Sequence, residues 1–208
     1  MSPKCCSPIG RPRSFDADKA LEMALEVFWQ KGYEGASLSD LTQAMGINKP
    51  SMYSAFGNKE QLFLQAIELY EKRPQAFFFP ALEQPTIYQV VKYMLNGVIE
   101  NLCDPKQPQG CVIVQGALSC SENASTIKHA LQERRAQASL ALQQRFERAQ
   151  QENDLSAAAN PEALAHYLAT ILQGLNVHST NGATRQQLEQ VAELAIATFT
   201  RECLPPST

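Results

Sequence analysis

Between residues 16 and 62 the chain sets helix starters and helix stops so close together that only short helices fit between them. Asp16 can accept the first free N–H groups of a helix, and the apolar positions Ala20, Leu21, Ala24, Leu25 and Phe28 follow at helical spacing. Gly32, able to take the left-handed backbone, is the expected stop. Ser37 with Asp40 is a capping-box pattern, Leu38, Leu41 and Met45 form one stripe, and Gly46 ends this second helix after about two turns. Asn48 opens a third short helix that tolerates Pro50, because the first N–H groups of a helix have no intrahelical partner. Gly57 closes it. Asn58 and Gln61 then form another capping pair, and Leu62, Phe63, Ala66, Ile67 and Tyr70 carry a fourth helix toward Pro74. A supporting helix followed by two short ones joined through Gly46-Ile47-Asn48 is the helix-turn-helix plan, whose second helix enters the major groove of DNA. Spacing alone equally allows an ordinary helical corner.

Pro74 and Pro80 kink or end the fourth helix, and beyond Pro85 helices are expected at about 86–103, 110–120, 123–153, 161–180 and 184–203. No β-period run or internal repeat competes, so the expected fold class is all-α. Three units are expected: a flexible basic arm at 1–14, a three-helix helix-turn-helix DNA-binding domain at 15–60, and a helical ligand-sensing and dimerisation domain at 61–208. The net charge of -3, its acidic excess confined to the part after residue 60, argues against a protein that coats nucleic acid without specificity but allows a confined DNA-binding surface. Neither a signal-peptide core in Met1–Pro8 nor an apolar run of membrane-spanning length is present, so the expectation is a cytoplasmic protein without a membrane partner. Six scattered cysteines without a C-x-x-C pair are expected to be reduced thiols.

The string Phe28-x(3)-Gly32-Tyr33-x(3)-Ser37-x(2)-Asp40-Leu41-x(2)-Ala44-x-Gly46-Ile47-x(5)-Tyr53-x(2)-Phe56-x(2)-Lys59-x(2)-Leu62 resembles the TetR (AcrR) family of transcriptional repressors. The resemblance covers about residues 15–65, and Pro108-Gln109-Gly110-Cys111 and Ile171-Leu172-Gln173-Gly174-Leu175 resemble one branch of that family. It implies a repressor that binds double-stranded operator DNA as a homodimer and is released by a small-molecule inducer.

Candidate DNA-binding residues follow from position and chemistry. The Tyr53 hydroxyl suits a phosphate oxygen, a role the resemblance favours, although with Met52 and Phe56 beside it Tyr53 also fits a core. Lys59, just after the Asn58 cap, joins a cation to a helix N-terminus and makes a second phosphate clamp; the alternative is a solvated lysine. On the third helix Lys49, Pro50, Ser51 and Ser54 stand where base edges or phosphates are reached, and Ala55 suits a thymine methyl. Ser37 and Ser39 reach the backbone from the second helix, though capping alone accounts for Ser37. Arg11 and Arg13 lie on a stiff arm suited to a narrow minor groove, or form a tail without defined contact.

In the C-terminal part, Leu164, Leu168, Ile171 and Leu175 form one stripe and Leu188, Val191, Leu194, Ala195 and Phe199 another, suiting a four-helix interface between two subunits or an intramolecular core. Candidates to line a ligand pocket are Phe78, Tyr88, Met94, Cys111, Gln115, Leu118, Tyr167 and Ile171, with Phe77 and Phe79 beside them. No cofactor or metal is expected. The alternative signal is a metal or oxidant sensed by Cys103, Cys111 and Cys120, against which stands the absence of metal-ligand spacing. A regulator without a ligand and a helical enzyme are the remaining alternatives; the sequence has no G-x-S-x-G, G-x-x-x-x-G-K or H-E-x-x-H motif.

Overall fold

Asp16 accepts hydrogen bonds from the backbone N–H groups of Asp18 and Lys19, and the helix it caps, α1 (Ala17–Gly35), buries Ala20, Ala24, Leu25, Phe28 and Trp29 along one face. The structure, a computed structural model, describes residues 15–73, 76–119 and 124–203, without the side chains of 117–119 and 202–203. Arg11, Arg13 and Cys120 lie outside the described residues. Gly32 sits within α1 at φ 70° and ψ 173°, so the stop expected there is a break, and the element ends three residues later. Next come α2 (Leu38–Met45), α3 (Lys49–Phe56) and α4 (Lys59–Glu71). The Ser37–Asp40 and Asn58–Gln61 boxes are both closed, each cap side chain accepting from the backbone three residues on and each third side chain accepting in return.

The chain continues through α5 (Phe78–Leu82), α6 (Ile87–Leu102), α7 (Val112–Ser119), α8 (Ser125–Gln151), α9 (Pro161–Thr180) and α10 (Arg185–Cys203). Among the described residues there is no strand, and the fold class is all-α. None of these helices is long and apolar enough to cross a membrane. The five-residue α5 is an element the sequence pattern did not predict; Phe77 seats it on Gly97, where a Cβ would lie 2.5 Å from the Phe77 Cβ.

Two cores result. Phe28, Leu41, Met52, Phe56, Leu62, Phe63 and Ile67 join α1 to α4, with Val112, Ala124, Ile127 and Leu131 closing this core from α7 and the start of α8. Met94, Leu95, Leu142, Phe146, Leu168, Leu175 and Phe199 are among the residues that hold α6, α9, α10 and the second half of α8 in the other. With 27 residues, α8 runs about 40 Å and serves both. Each fully buried Phe or Leu contributes about 1.5–3 kcal/mol. Leu168, Leu175, Leu188, Ala195 and Phe199 are thus committed to the chain's own core, which takes most of the two stripes expected at a subunit interface. Of the two stripes, only Val191 and Leu194, both on α10, remain exposed.

Candidate nucleic-acid interface and sensor cavity

The two-turn α3 buries only Met52 and Phe56, which turns the rest of its surface outward. Lys49, Pro50, Tyr53 and Ser54 are exposed, Tyr53 by 47%, while Ser51 and Ala55 are half-buried. Tyr53 is therefore not a core residue. Ala55 packs against the N-terminal core on its inner side. On α2, Ser39 is exposed, whereas the Ser37 hydroxyl is spent on the cap, accepting from Asp40 N at 3.0 Å and donating to its carboxylate at 2.7 Å. The Asp40 carboxylate also meets Lys31 Nζ at 2.7 Å, and hydrogen bonds from Lys31 and Ser37 draw its pKa down to about 2. This ties the front of α2 to α1.

Lys59 is the first residue of α4, half-buried, with its ammonium 4.6 Å from the centre of the Tyr33 ring. Partial burial lowers its pKa. A lysine held over an aromatic ring at a helix N-terminus is a positioned cation, and a phosphate oxygen is its natural complement.

At the opposite end of α4 lies a cavity of about 240 Å³. Tyr70 and Glu71 from the last turn of α4 form one wall; Phe77, Phe78 and Phe79, Cys111 and Val114, Arg134, Arg135 and Leu142, and Leu172 and Asn176 are among those forming the others. Of the pocket candidates, Phe78 and Cys111 line it. The other placements differ from expectation: Met94 is fully buried in the C-terminal core, Tyr88 and Tyr167 face outward, Gln115 donates to the Gln109 carbonyl at 3.0 Å, and Ile171 packs against the C-terminal core. The Leu118 side chain lies outside the description. Helical periodicity assigns a residue to a face but not to the neighbour that face meets. The arginines went unpredicted, although Arg135 stands in register with Leu131, Ala138 and Leu142, a charged residue within an apolar stripe.

Tyr70 also joins the head to the rest of the chain. Its hydroxyl donates to Cys111 Sγ at 3.5 Å, its ring meets Trp29 edge-on at 4.9 Å, and burial pushes its pKa well up, so the phenol is a neutral donor. Trp29 Nε1 in turn donates to the Gly110 carbonyl at 2.9 Å. Gly110 holds φ 81°, and an added Cβ would overlap the Gln115 side chain and approach Thr180 Cγ2 at 2.8 Å. Gly110→Ala is expected to cost about 2–3 kcal/mol, of which roughly 1–2 is left-handed strain and about 1 the lost Gln115 hydrogen bond. Gly182, at φ 86° with nothing within 4 Å of an added Cβ, isolates the strain. Thermal melts should place Gly110→Ala below Gly182→Ala, with the Trp29 emission shifted in the former alone; equal midpoints would refute the contact argument.

Cys103 and Cys111 are free and half-buried. Among the described residues no three His, Cys, Asp or Glu side chains gather as a metal site would require.

A three-helix head with a solvent-facing second short helix, carried on a helical body that encloses a cavity, defines a helix-turn-helix DNA-binding regulator. Residues 20–66 match the family model for bacterial regulatory proteins of the tetR family, and residues 89–196 match that for the tetracyclin repressor-like C-terminal domain. The chain belongs to the TetR family and is a DNA-binding transcriptional repressor of that type. It is 31% identical over 185 residues to the HTH-type transcriptional repressor ComR of Escherichia coli (strain K12), covering 88% of each chain. It is also 26% identical over 192 residues to the HTH-type transcriptional repressor BdcR of the same strain, covering 89% of this chain and 90% of BdcR. Among solved structures, a cysteine mutant of the TetR family transcriptional regulator CifR complexed with 26-bp double-strand operator DNA superposes with a TM-score of 0.86 at 36% identity, covering 90% of this chain and 98% of that one.

Proposed function

We propose that this repressor binds a palindromic operator as a homodimer and leaves it when a small molecule enters the cavity. One observation carries the reading: α4 begins at Lys59, in the head, and ends at Tyr70 and Glu71, in the cavity wall. A displacement of one end is transmitted along 13 residues of helix, about 20 Å, to the other. Residues 15–60 would carry DNA contact and 61–208 sensing and dimerisation, with α4 as a shared part, since its Leu62, Phe63, Ala66 and Ile67 complete the core of the head. Operator binding by CifR supports the DNA partner. Exposed Val177, Val191 and Leu194 on α9 and α10 support a second copy of this chain as the partner there.

In this reading Tyr53 and Lys59 hold phosphates, while Lys49, Ser51 and Ser54 face the groove. Tyr53→Phe and Lys59→Ala should weaken operator and scrambled duplexes by similar factors, and the lysine change should reduce the slope of log affinity against log salt by about one unit. A changed base preference with the salt slope intact would reverse the assignment. Release is tested by reciprocity: operator must weaken ligand binding by the factor by which ligand weakens operator binding, and equal ligand affinities with and without operator would end the sensor reading.

A further inference from the structure

Four charged side chains line the cavity: Arg73, Arg134 and Arg135 against the single carboxylate of Glu71. Arg134 Nε donates to Glu71 at 3.3 Å, so that pair is neutral. The Arg73 guanidinium lies 5.2 Å from the centre of the Trp29 ring. Arg135 differs from both. Its Nε is buried without a hydrogen-bond partner, and no carboxylate among the described residues pairs with it. A buried cationic donor without an acceptor is costly, and the cost is removed when an anion binds beside it. Arg145, farther along the same stripe of α8, also keeps one buried nitrogen, Nη1, without a partner, but its Nε and Nη2 donate to backbone carbonyls and it does not line the cavity.

The remainder of the wall is mostly apolar and in part aromatic, with Phe77 and Phe78 prominent. The volume, about 240 Å³, falls below the roughly 300–1,000 Å³ of clefts that take drug-sized ligands. Resting on the reading of this cavity as the sensory site, we propose that its ligand is a small monocarboxylic acid with an apolar or aromatic body, the carboxylate held by the Arg135 guanidinium. A guanidinium presents parallel N–H donors that match the two oxygens of a carboxylate, and near neutral pH such an acid is ionised.

The full-length protein carries its own reporter, since Trp29 is the single tryptophan and touches both Tyr70 and Arg73 of the cavity wall. Titration of its emission with 4-phenylbutanoate and with the near-isosteric neutral 4-phenylbutanamide, each repeated by calorimetry, tests the proposal. The acid should bind about tenfold or more tightly than the amide. Arg135→Gln should remove that preference while leaving amide affinity, operator affinity and thermal midpoint near wild type, and Arg135→Lys should restore part of it. If Arg135→Gln does not fold, the acid–amide comparison in the wild-type chain decides. Equal affinity for acid and amide, no binding of the acid, or acid affinity unchanged in Arg135→Gln overturns the assignment. Acid binding through Arg135 with no effect on operator affinity would instead leave the assignment standing and overturn the sensory reading on which it rests.

Discussion

Leu194→Arg is expected to yield a monomer whose operator affinity is lower by about a hundredfold to ten-thousandfold. Leu194 is 71% exposed on α10, beside the exposed Val191 of the same helix, so the change removes little from the chain's own core. In a two-fold interface the same surface is presented by both copies, and a cation near the axis confronts its own image. Two linked heads convert the second binding event into an intramolecular one, and the loss follows from losing that gain. Sedimentation should show the monomer, circular dichroism an unchanged fold, and gel-shift titration the lost affinity. A variant that remains dimeric with wild-type operator affinity would move the interface off this face. Val177→Arg on α9 provides a second, independent reading of the same surface.

What the sequence disclosed about this surface and about the rest of the molecule divides by range of interaction. Caps such as Ser37–Asp40 and Asn58–Gln61 are made by residues three apart, and they were legible together with the helix-turn-helix they delimit. The all-α class and the five C-terminal segments were legible for a similar reason, most of their ends being marked by local breakers such as Asn160-Pro161. Short α5 escaped because a five-residue helix containing Pro80 has no periodic stripe and no capping side chain. The Trp29–Gly110 hydrogen bond joins residues 81 apart, and nothing local announces it. Met94 and Tyr88 show the limit of periodicity, one in the core and the other outside. Arg135 marks what was readable but easily passed over: an arginine in an apolar register must find a partner, and the partner is where a site or a clasp lies.

Arg145 is the clasp, and its removal should damage stability about as much as truncating a fully buried aromatic of the C-terminal core such as Phe146. Only 3% exposed, it donates from Nε to the Leu82 carbonyl at 3.0 Å and from Nη2 to the Gln84 carbonyl at 2.9 Å, bonds that hold the end of α5 and the turn into α6. Burial lowers its pKa. Exchanging a buried ion pair for apolar groups is often harmless because both partners leave, but backbone carbonyls cannot leave. Arg148 reaches only Leu82, at 3.3 Å, so loss of Arg145 strips the Gln84 carbonyl of its donor. Arg145→Ala is therefore expected to cost about 3–5 kcal/mol, a fall in Tm of about 6–20 °C. Arg145→Met should recover the packing but not the hydrogen bonds, and should melt between Ala and wild type. A methionine variant as stable as wild type would show that the clasp merely offsets its own desolvation. Because α5 and Phe77 belong to the cavity wall while the core of the head draws nothing from α5, the folded Arg145→Met chain should keep operator affinity at low temperature and lose ligand binding first.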